Sequence, residues 1–261
     1  MVGTHDKIPH VLACDVGNTA VHVAHVNGDC LTPQERHTIG DLGDLGGALA
    51  RLWEAMPEPK KLVAASVNPS GLKALEAAAA EATAVAPLVV GRELPLPMPT
   101  EVEQPNEVGV DRLCCAVAAY DRIGDACVVA DFGTAITVDC VGPDGAFLGG
   151  AILPGLRMAA ECLHTSTAGL PSIRPREVDW VFGKNTEQAI LSGIIRGTRG
   201  ALRELVEAYA TELGRWPSLI LTGGDARLVC PEPGAEGLAQ AVVDDLVLRG
   251  VAAAYYRTLL R

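Results

Sequence analysis

Several features are absent from this sequence, and each absence excludes a class of protein. No apolar run reaches the roughly 18 residues that a membrane-spanning helix needs, so we expect no membrane span and no membrane partner. The first seven residues lack the apolar core of a signal peptide, which predicts a cytoplasmic protein. Basic residues are in deficit, with 21 Lys and Arg against 32 Asp and Glu, and the net charge of −11 argues against nucleic-acid binding.

The eight cysteines contain no Cys-x-x-Cys pair, the spacing typical of zinc sites. Cys14, Cys127 and Cys140 lie within apolar, strand-like segments. Small buried side chains in a reducing compartment explain this pattern better than a zinc site or a disulfide framework. We therefore expect buried, reduced thiols.

Apolar residues are plentiful, at 49% of 261 residues, so a large core can form. The length is too great for one small core and suits two domains. The acidic charge does not exclude a nucleotide ligand, because such sites use backbone amides, a metal ion and a few local cations.

One turn occurs twice, each time after an apolar run. Asp15-Val16-Gly17-Asn18-Thr19 and Asp131-Phe132-Gly133-Thr134-Ala135 begin 116 residues apart. Glycine lets backbone N–H groups approach an anion, threonine adds a hydroxyl donor, and aspartate can hold a cation. A single Asp-x-Gly also suits a plain turn, but two copies in matching places favour a function. Two such turns facing each other would clamp a polyphosphate.

A carboxylate beside a triphosphate requires a cation. Two unit charges about 4 Å apart repel by about 4 kcal/mol at an effective dielectric constant near 20. We therefore predict Mg²⁺ near Asp15 and a cation near Asp131.

The pattern of helices and strands also repeats along the chain. The first half predicts strands at 11–15, 20–26, 29–38, 61–67 and 87–90, helices at 43–56 and 71–84, and a helix from 109 to 123. The second half predicts strands at 127–131, 135–140, 146–152 and 218–221. It also predicts a helix after Pro154-Gly155, a helix at 186–210 with Thr186 as its cap, and a terminal helix at 244–260. The pattern predicts an α/β fold of two similar domains, residues 1–122 and 123–261, with a cleft between them and a terminal helix able to pack back on the first domain.

Two further motifs have possible roles in binding and chemistry. Gly109-Val110-Asp111-Arg112 puts a carboxylate and a guanidinium at a helix start, where Asp111 could accept a proton from a hydroxyl and Arg112 could bind an anion. The helix N-terminus is expected to favour ionised Asp111. Thr222-Gly223-Gly224-Asp225 offers a flat backbone surface for adenine or ribose. Taken alone, the motif with Asp111 is equally compatible with an ordinary helix start, and a simple turn explains the motif with Gly223 better than a binding site does.

Together these motifs resemble the type III pantothenate kinases, in the superfamily of acetate and sugar kinases, heat-shock ATPases and actin. The resemblance spans nearly the whole chain and rests on the order of DVGNT (15–19), GVDR (109–112), DFGTAIT (131–137), GGAILPG (149–155), TAGLP (167–171), GKNTEQAILSG (183–193) and TGGDA (222–226). It implies two actin-like, ribonuclease H-like domains with mixed sheets flanked by helices. The implied reaction is ATP-dependent phosphorylation of the pantothenate hydroxyl, the first step toward coenzyme A.

The resemblance also implies roles for individual residues. Asp111 corresponds to the presumed base and Asp131 to the ligand of a monovalent cation, K⁺ or NH₄⁺. The residues implied in ATP binding, with Mg²⁺ at Asp15, are Asp15, Val16, Gly17, Asn18, Thr19, Thr134, Gly223 and Gly224. The residues implied in pantothenate binding are Val102, Gly109, Val110, Arg112 and Thr167. A homodimer is implied as well.

The chain departs from the family at the loop before Gly109. Val102 and Gln104 stand where the family often has Tyr and Asn, and Asn68 replaces a valine of the family's Ser-Val-Val-Pro. His22 stands where some members have lysine. The alternatives are a kinase for another small hydroxyl compound, an ATP-driven switch, and a regulatory relative without turnover. Retention of the residues assigned to chemistry weighs against the last.

Overall fold

A computed structural model describes residues 8–234 and 239–260; the N-terminal segment considered above lies outside this part. The described residues form strands β1 (His10–Val16), β2 (Ala20–Asn27), β3 (Cys30–Leu31), β4 (Glu35–Thr38), β5 (Lys60–Ser66), β6 (Leu88–Val89), β7 (Cys127–Phe132), β8 (Ala135–Val141), β9 (Phe147–Pro154), β10 (Ser218–Thr222) and β11 (Ala241–Val242). The α-helices are α1 (Leu45–Ala55), α2 (Pro69–Thr83), α3 (Val110–Ile123), α4 (Leu156–Thr165), α5 (Thr186–Leu213), α6 (Ala226–Val229) and α7 (Leu246–Tyr256). Short 3₁₀ helices lie at Pro105–Glu107 and Arg257–Leu260.

The strands form two mixed sheets of the same topology. The first has the order β3-β2-β1-β5-β6, with β4 also paired to β2, and the second has the order β9-β8-β7-β10-β11. In each sheet the first strand is antiparallel to the second and parallel to a later strand. The predicted α/β class, with two similar actin-like mixed sheets flanked by helices, is confirmed.

Contacts divide the chain into two units. The first comprises the described residues of Met1–Pro99, Gln104–Ala118 and Asp245–Arg261, and the second comprises those of Thr100–Glu103 and Ala119–Asp244. The boundary at 122/123 and the cleft stay predictions. No described helix has the length and apolar character that crossing a membrane requires.

In the first unit, helices cover both faces of the sheet, because the strands alternate apolar side chains between them. Leu12, Cys14 and Val16 of β1 pack with α1 and α2. Val11 and Ala13 pack on the other side with Cys114 of α3 and with α7. Asp15 follows Val11 and Ala13 at every second position of β1, so it lies on the same face of the sheet. We call this face, which α3 and α7 cover, the α3 face.

Six of the eight cysteines are buried, including Cys14, Cys127 and Cys140 as predicted. Cys30 and Cys162 are exposed, which the sequence pattern did not indicate. All eight are free thiols.

Local predictions needed three corrections. The single strand predicted at 29–38 is wrong, because Pro33 interrupts it and leaves β3 and β4 as separate partners of β2. The cap of α5 is Asn185, whose side chain accepts the Gln188 N–H at 2.9 Å, whereas Thr186 is already helical. The two-residue strand β11 was not predicted.

The close packing of α7 on α3 gives a first testable prediction. A Cβ atom on Gly250 would overlap the backbone of Cys114, so we expect Gly250→Ala to destabilise the fold by about 3 kcal/mol. Gly200, exposed within α5, has no neighbouring atom within 4 Å of a Cβ position. Gly200→Ala should therefore stabilise by about 0.5–1 kcal/mol. Urea unfolding of both variants measures the difference, and equal midpoints would contradict the packing argument.

Candidate active site

The first repeated turn joins β1 to β2 in the first unit. The Gly17 N–H donates to the Ala20 carbonyl at 2.9 Å and closes the turn, while Asn18 and Thr19 are exposed. The Asn68 amide donates to the Gly17 carbonyl at 3.4 Å. Backbone and side-chain bonds thus hold the turn, and its tip faces solvent, as a phosphate-binding turn requires.

Asp15 lies at the end of β1 just before this turn, and Asp111 lies in the first turn of α3. Burial is the main cause that raises the pKa of the Cys114 thiol, and the charges of Asp15 and Asp111 raise it further. Both carboxylates therefore lie close to the same buried thiol. The sequence placed these two acids 96 positions apart, and the fold gathers them at one end of the α3 face.

Gly109, at the start of α3, allows the helix to come close to the ends of β1 and β5. A Cβ atom on Gly109 would come within 2.5 Å of the Asp111 Oδ1 atom and within 3.6 Å of Val67, the residue after β5. The Val67 N–H in turn donates to the Val16 carbonyl at 3.1 Å. Gly109 is therefore the point at which the start of α3 meets the strand ends.

Burial raises the pKa of the Asp111 carboxyl, although the Arg112 backbone N–H, which donates to Oδ1 at 2.8 Å, and the Arg112 guanidinium lower it. Desolvation is the largest of these effects, so the pKa of Asp111 lies above its ordinary value; the expectation that the helix N-terminus favours the ionised form stays a prediction. A carboxylate with a raised pKa is a stronger base.

The remaining residues of this motif are half-buried. Val110 packs against the apolar cluster beneath α3 and α7. Arg112 is half-buried in the same helical turn as Asp111. The motif therefore presents one carboxylate and one guanidinium from a single turn of helix.

The second repeated turn joins β7 to β8 in the second unit. The Gly133 N–H donates to the Ala135 carbonyl at 3.2 Å, and Gly133 and Thr134 are exposed. Its closing hydrogen bond matches that of the first turn, with one residue fewer in the loop. The duplication read from the sequence therefore extends to hydrogen bonding.

Two glycines pack directly against this second turn. A Cβ atom on Gly155, which precedes α4, would overlap the carbonyls of Gly133 and Thr134. A Cβ atom on Gly223, at φ +90°, would overlap the Asp131 carboxylate and lie 2.6 Å from the Phe132 backbone. The turn and the Asp131 side chain are thus enclosed by backbone that tolerates no side chain.

The segment after Gly223 is more open. Gly224 is exposed, and no atom lies within 4 Å of its Cβ position. The Asp225 N–H donates to the Phe132 carbonyl at 3.2 Å, which fixes the loop on the turn. Burial raises the pKa of the Asp225 carboxyl, and the charge of Arg157, with Nε 4.0 Å from Oδ2, lowers it.

Two residues implied in pantothenate binding lie elsewhere in the second unit. Thr167 is exposed just after α4, and its hydroxyl donates to the Leu163 carbonyl at 2.8 Å and accepts the Leu170 N–H at 3.3 Å. Val102 is half-buried, 3.6 Å from the Cβ position of Gly149 in β9. The Thr167 hydroxyl therefore also stabilises its own turn.

Each of the two aspartates offers carboxylate oxygens, the type of ligand that Mg²⁺ prefers. Within residues 8–234 and 239–260, no three or more His, Cys, Asp or Glu side chains gather as a ready-made metal cage. A cation at Asp15 or Asp131 would therefore need oxygens from a bound phosphate or from water. This is how Mg²⁺ is usually held at nucleotide sites.

Sequence reasoning missed the role of Asn68. Besides contacting Gly17, its side chain caps α2 by accepting the N–H groups of Ser70 and Gly71 at 3.1 and 3.0 Å. An Asn directly before Pro69, with proline in the first helical turn, was the available signal.

Known proteins match this chain over most of its length. The family described as type III pantothenate kinase matches residues 11–208. A type III pantothenate kinase of Thermomicrobium roseum is 38% identical over 192 residues, covering 74% of this chain and 73% of that protein. Another, of Syntrophotalea carbinolica, is 33% identical over 255 residues, covering 95% of this chain and 98% of that protein.

Among solved structures, a crystal structure from Campylobacter jejuni, described as a candidate Baf family transcriptional activator, matches with a TM-score of 0.61. It is 22% identical and covers 96% of this chain and 100% of that one, so the likeness shows the fold alone. The family match and the curated relatives show more than the fold: this chain belongs to the type III pantothenate kinase family.

Proposed function

We propose that this protein transfers the terminal phosphoryl group of ATP to the hydroxyl of pantothenate, which forms 4'-phosphopantothenate for coenzyme A synthesis. Membership of the family supports the reaction and the acceptor. The observation that carries the site assignment is the contact of the start of α3, at Gly109 beside Asp111, with Val67, which is hydrogen-bonded to Val16 beside Asp15. A turn for phosphate and a carboxylate for the acceptor hydroxyl are what phosphoryl transfer requires.

In the first unit we assign chemistry to Asp111. Its carboxylate orients the pantothenate hydroxyl and accepts the proton as the oxygen attacks phosphorus, which its raised pKa favours. Arg112 binds an anionic group of the substrate or the phosphates. Val102, Gly109, Val110 and Thr167 complete the proposed pantothenate contacts.

We assign the nucleotide to the repeated turns. The backbone of residues 15–19 and the Thr19 hydroxyl bind phosphate oxygens, and Asp15 would hold Mg²⁺, which would supply charge neutralisation. Thr134 donates its hydroxyl to phosphate, and Gly223 and Gly224 lie along the nucleotide. Asp131, enclosed by the backbone of Gly223, holds K⁺ or NH₄⁺.

Three further proposals come from the family and from composition. We propose a homodimer, which light scattering of the purified protein tests directly. We also propose a cytoplasmic location, in keeping with the free thiols at all eight cysteines. Two domains, residues 1–122 and 123–261, stay part of the proposal.

An ADP-release assay with a panel of acceptors tests the reaction. With MgATP and K⁺ we expect rapid ADP release with pantothenate, and none above background with sugars or glycerol. Replacing K⁺ by Na⁺ should lower the rate, and Asp131→Asn should abolish the difference between the two salts. A sugar preferred over pantothenate would overturn the proposed acceptor, and equal rates in K⁺ and Na⁺ would overturn the role of Asp131.

A further inference from the structure

The α3 face of the first sheet carries polar residues that the proposed reaction has not used. Asp15 lies directly opposite His22 of β2, and His22 lies directly opposite Arg36 of β4. Residues directly opposite each other on antiparallel strands share one face of the sheet. Asp15, His22 and Arg36 therefore form a row across three strands, with Arg36 about 10 Å from Asp15 at two strand spacings.

The strand that carries Arg36 runs toward the first phosphate turn. Thr38, at the end of β4, lies opposite Ala20, and the Ile39 N–H donates to the Thr19 carbonyl at 3.0 Å. The Arg36 Nη1 atom donates to the Thr38 hydroxyl at 3.5 Å. This contact directs the guanidinium along β4 toward the exposed tip at Asn18 and Thr19.

The surroundings leave the guanidinium available for an anion. Arg36 is exposed, and among the described residues no carboxylate forms an ion pair with it. His22, between Asp15 and Arg36 in the row, donates from Nδ1 to the Gln34 amide oxygen at 2.6 Å. By contrast, Arg51 of α1 is paired with Glu35 at 2.8 Å.

We propose that Arg36 binds the polyphosphate tail of the nucleotide beside the turn of residues 17–19. The first unit otherwise contributes two carboxylates, Asp15 and Asp111, against one guanidinium, Arg112, so the charge of its assigned residues still disfavours a triphosphate. A guanidinium offsets that repulsion and can bind two phosphate oxygens at once.

The inference rests on the proposed use of ATP, and nucleotide binding tests it apart from the reaction. Titration calorimetry would compare the full-length protein with Arg36→Gln, Arg36→Lys and Arg51→Gln, using MgATP, AMP and inorganic tripolyphosphate as ligands. Arg51→Gln is the matched control, since it removes the same charge from the same unit. We expect Arg36→Gln to weaken MgATP and tripolyphosphate at least about tenfold, with AMP little changed.

The other variants separate a phosphate contact from a structural role. Arg36→Lys should recover part of the affinity, and Arg51→Gln should bind all three ligands as wild type does. Three results would overturn the proposal. The first is unchanged MgATP affinity in Arg36→Gln, and the second is an equal loss of affinity in Arg36→Gln and Arg51→Gln. The third is an equal loss of affinity for AMP and MgATP in Arg36→Gln. Wild type that binds MgATP but phosphorylates no pantothenate would refute the proposed reaction alone, whereas wild type without MgATP affinity would refute both.

Discussion

Replacing Asp111 by asparagine is expected to lower the turnover of pantothenate phosphorylation by about 10²–10⁴-fold, the usual contribution of a general base. Asparagine keeps the size of the side chain. Its amide oxygen can still accept the hydrogen bond that the Arg112 N–H donates to Asp111 Oδ1 at 2.8 Å in the wild type. It cannot accept the proton of the acceptor hydroxyl. MgATP affinity should change little, because the nucleotide contacts are assigned to other residues. Steady-state kinetics together with nucleotide titration measure both effects.

The same substitution should leave the fold intact or strengthen it. Since burial raises the pKa of the Asp111 carboxyl in the folded state, its ionisation disfavours folding at neutral pH. That penalty is fully present above the folded pKa and is lost as the pH falls through it. Asp111→Asn should therefore unfold at a higher temperature than wild type at pH 7, with the difference shrinking on acidification.

A matched control uses a carboxylate outside the site. Glu107 is exposed in the 3₁₀ helix just before Gly109, so Glu107→Gln removes one negative charge without touching the assigned chemistry. It should keep wild-type turnover. Near-normal turnover in Asp111→Asn would refute its assignment as the base, and loss of folding in that variant would refute the electrostatic account.

Replacing Gly223 by alanine should destabilise the protein by about 3 kcal/mol and greatly reduce nucleotide binding. The added methyl group would overlap the Asp131 carboxylate and the Phe132 backbone, and φ at this position is +90°, which L-residues rarely adopt. Both the turn and the proposed cation ligand would have to move. Thermal unfolding and MgATP titration report the two consequences.

The neighbouring glycine gives the control for stability. Gly224 has open space at its Cβ position and no positive φ, so Gly224→Ala should keep the wild-type unfolding temperature. A difference of several degrees between the two variants is expected. If both variants unfolded at the same temperature, the enclosure of Asp131 by Gly223 would be refuted.

Much of the fold was predictable because it rests on local signals. The alternating apolar residues of 11–15 and 127–131 specify buried strands, and the two Asp-x-Gly turns mark where those strands end. The interruption at Pro33 was foreseeable as a weakness of the third strand, but only pairing with β2 decides that two short strands remain.

The candidate site was predictable as a set of residues and less so as an arrangement. Asp15, Asp111 and Asp131 are visible as motif residues, whereas the closeness of Asp15 and Asp111 depends on packing of α3 over β1. The pKa of Asp111 shows the same limit, because the burial that raises it depends on packing and is not visible in the local sequence. Asp15, His22 and Arg36 are aligned by the register in which β1, β2 and β4 pair. That register cannot be read from any one segment of the sequence.

The most direct test is to identify the product that wild-type protein makes from pantothenate and MgATP in K⁺ buffer. Mass spectrometry and phosphorus NMR should find 4'-phosphopantothenate and ADP in equal amounts, and at least about 10²-fold less of both after the same short reaction time when Asp111→Asn replaces wild type. ADP without a phosphorylated pantothenate, or equal product from Asp111→Asn, would contradict the account.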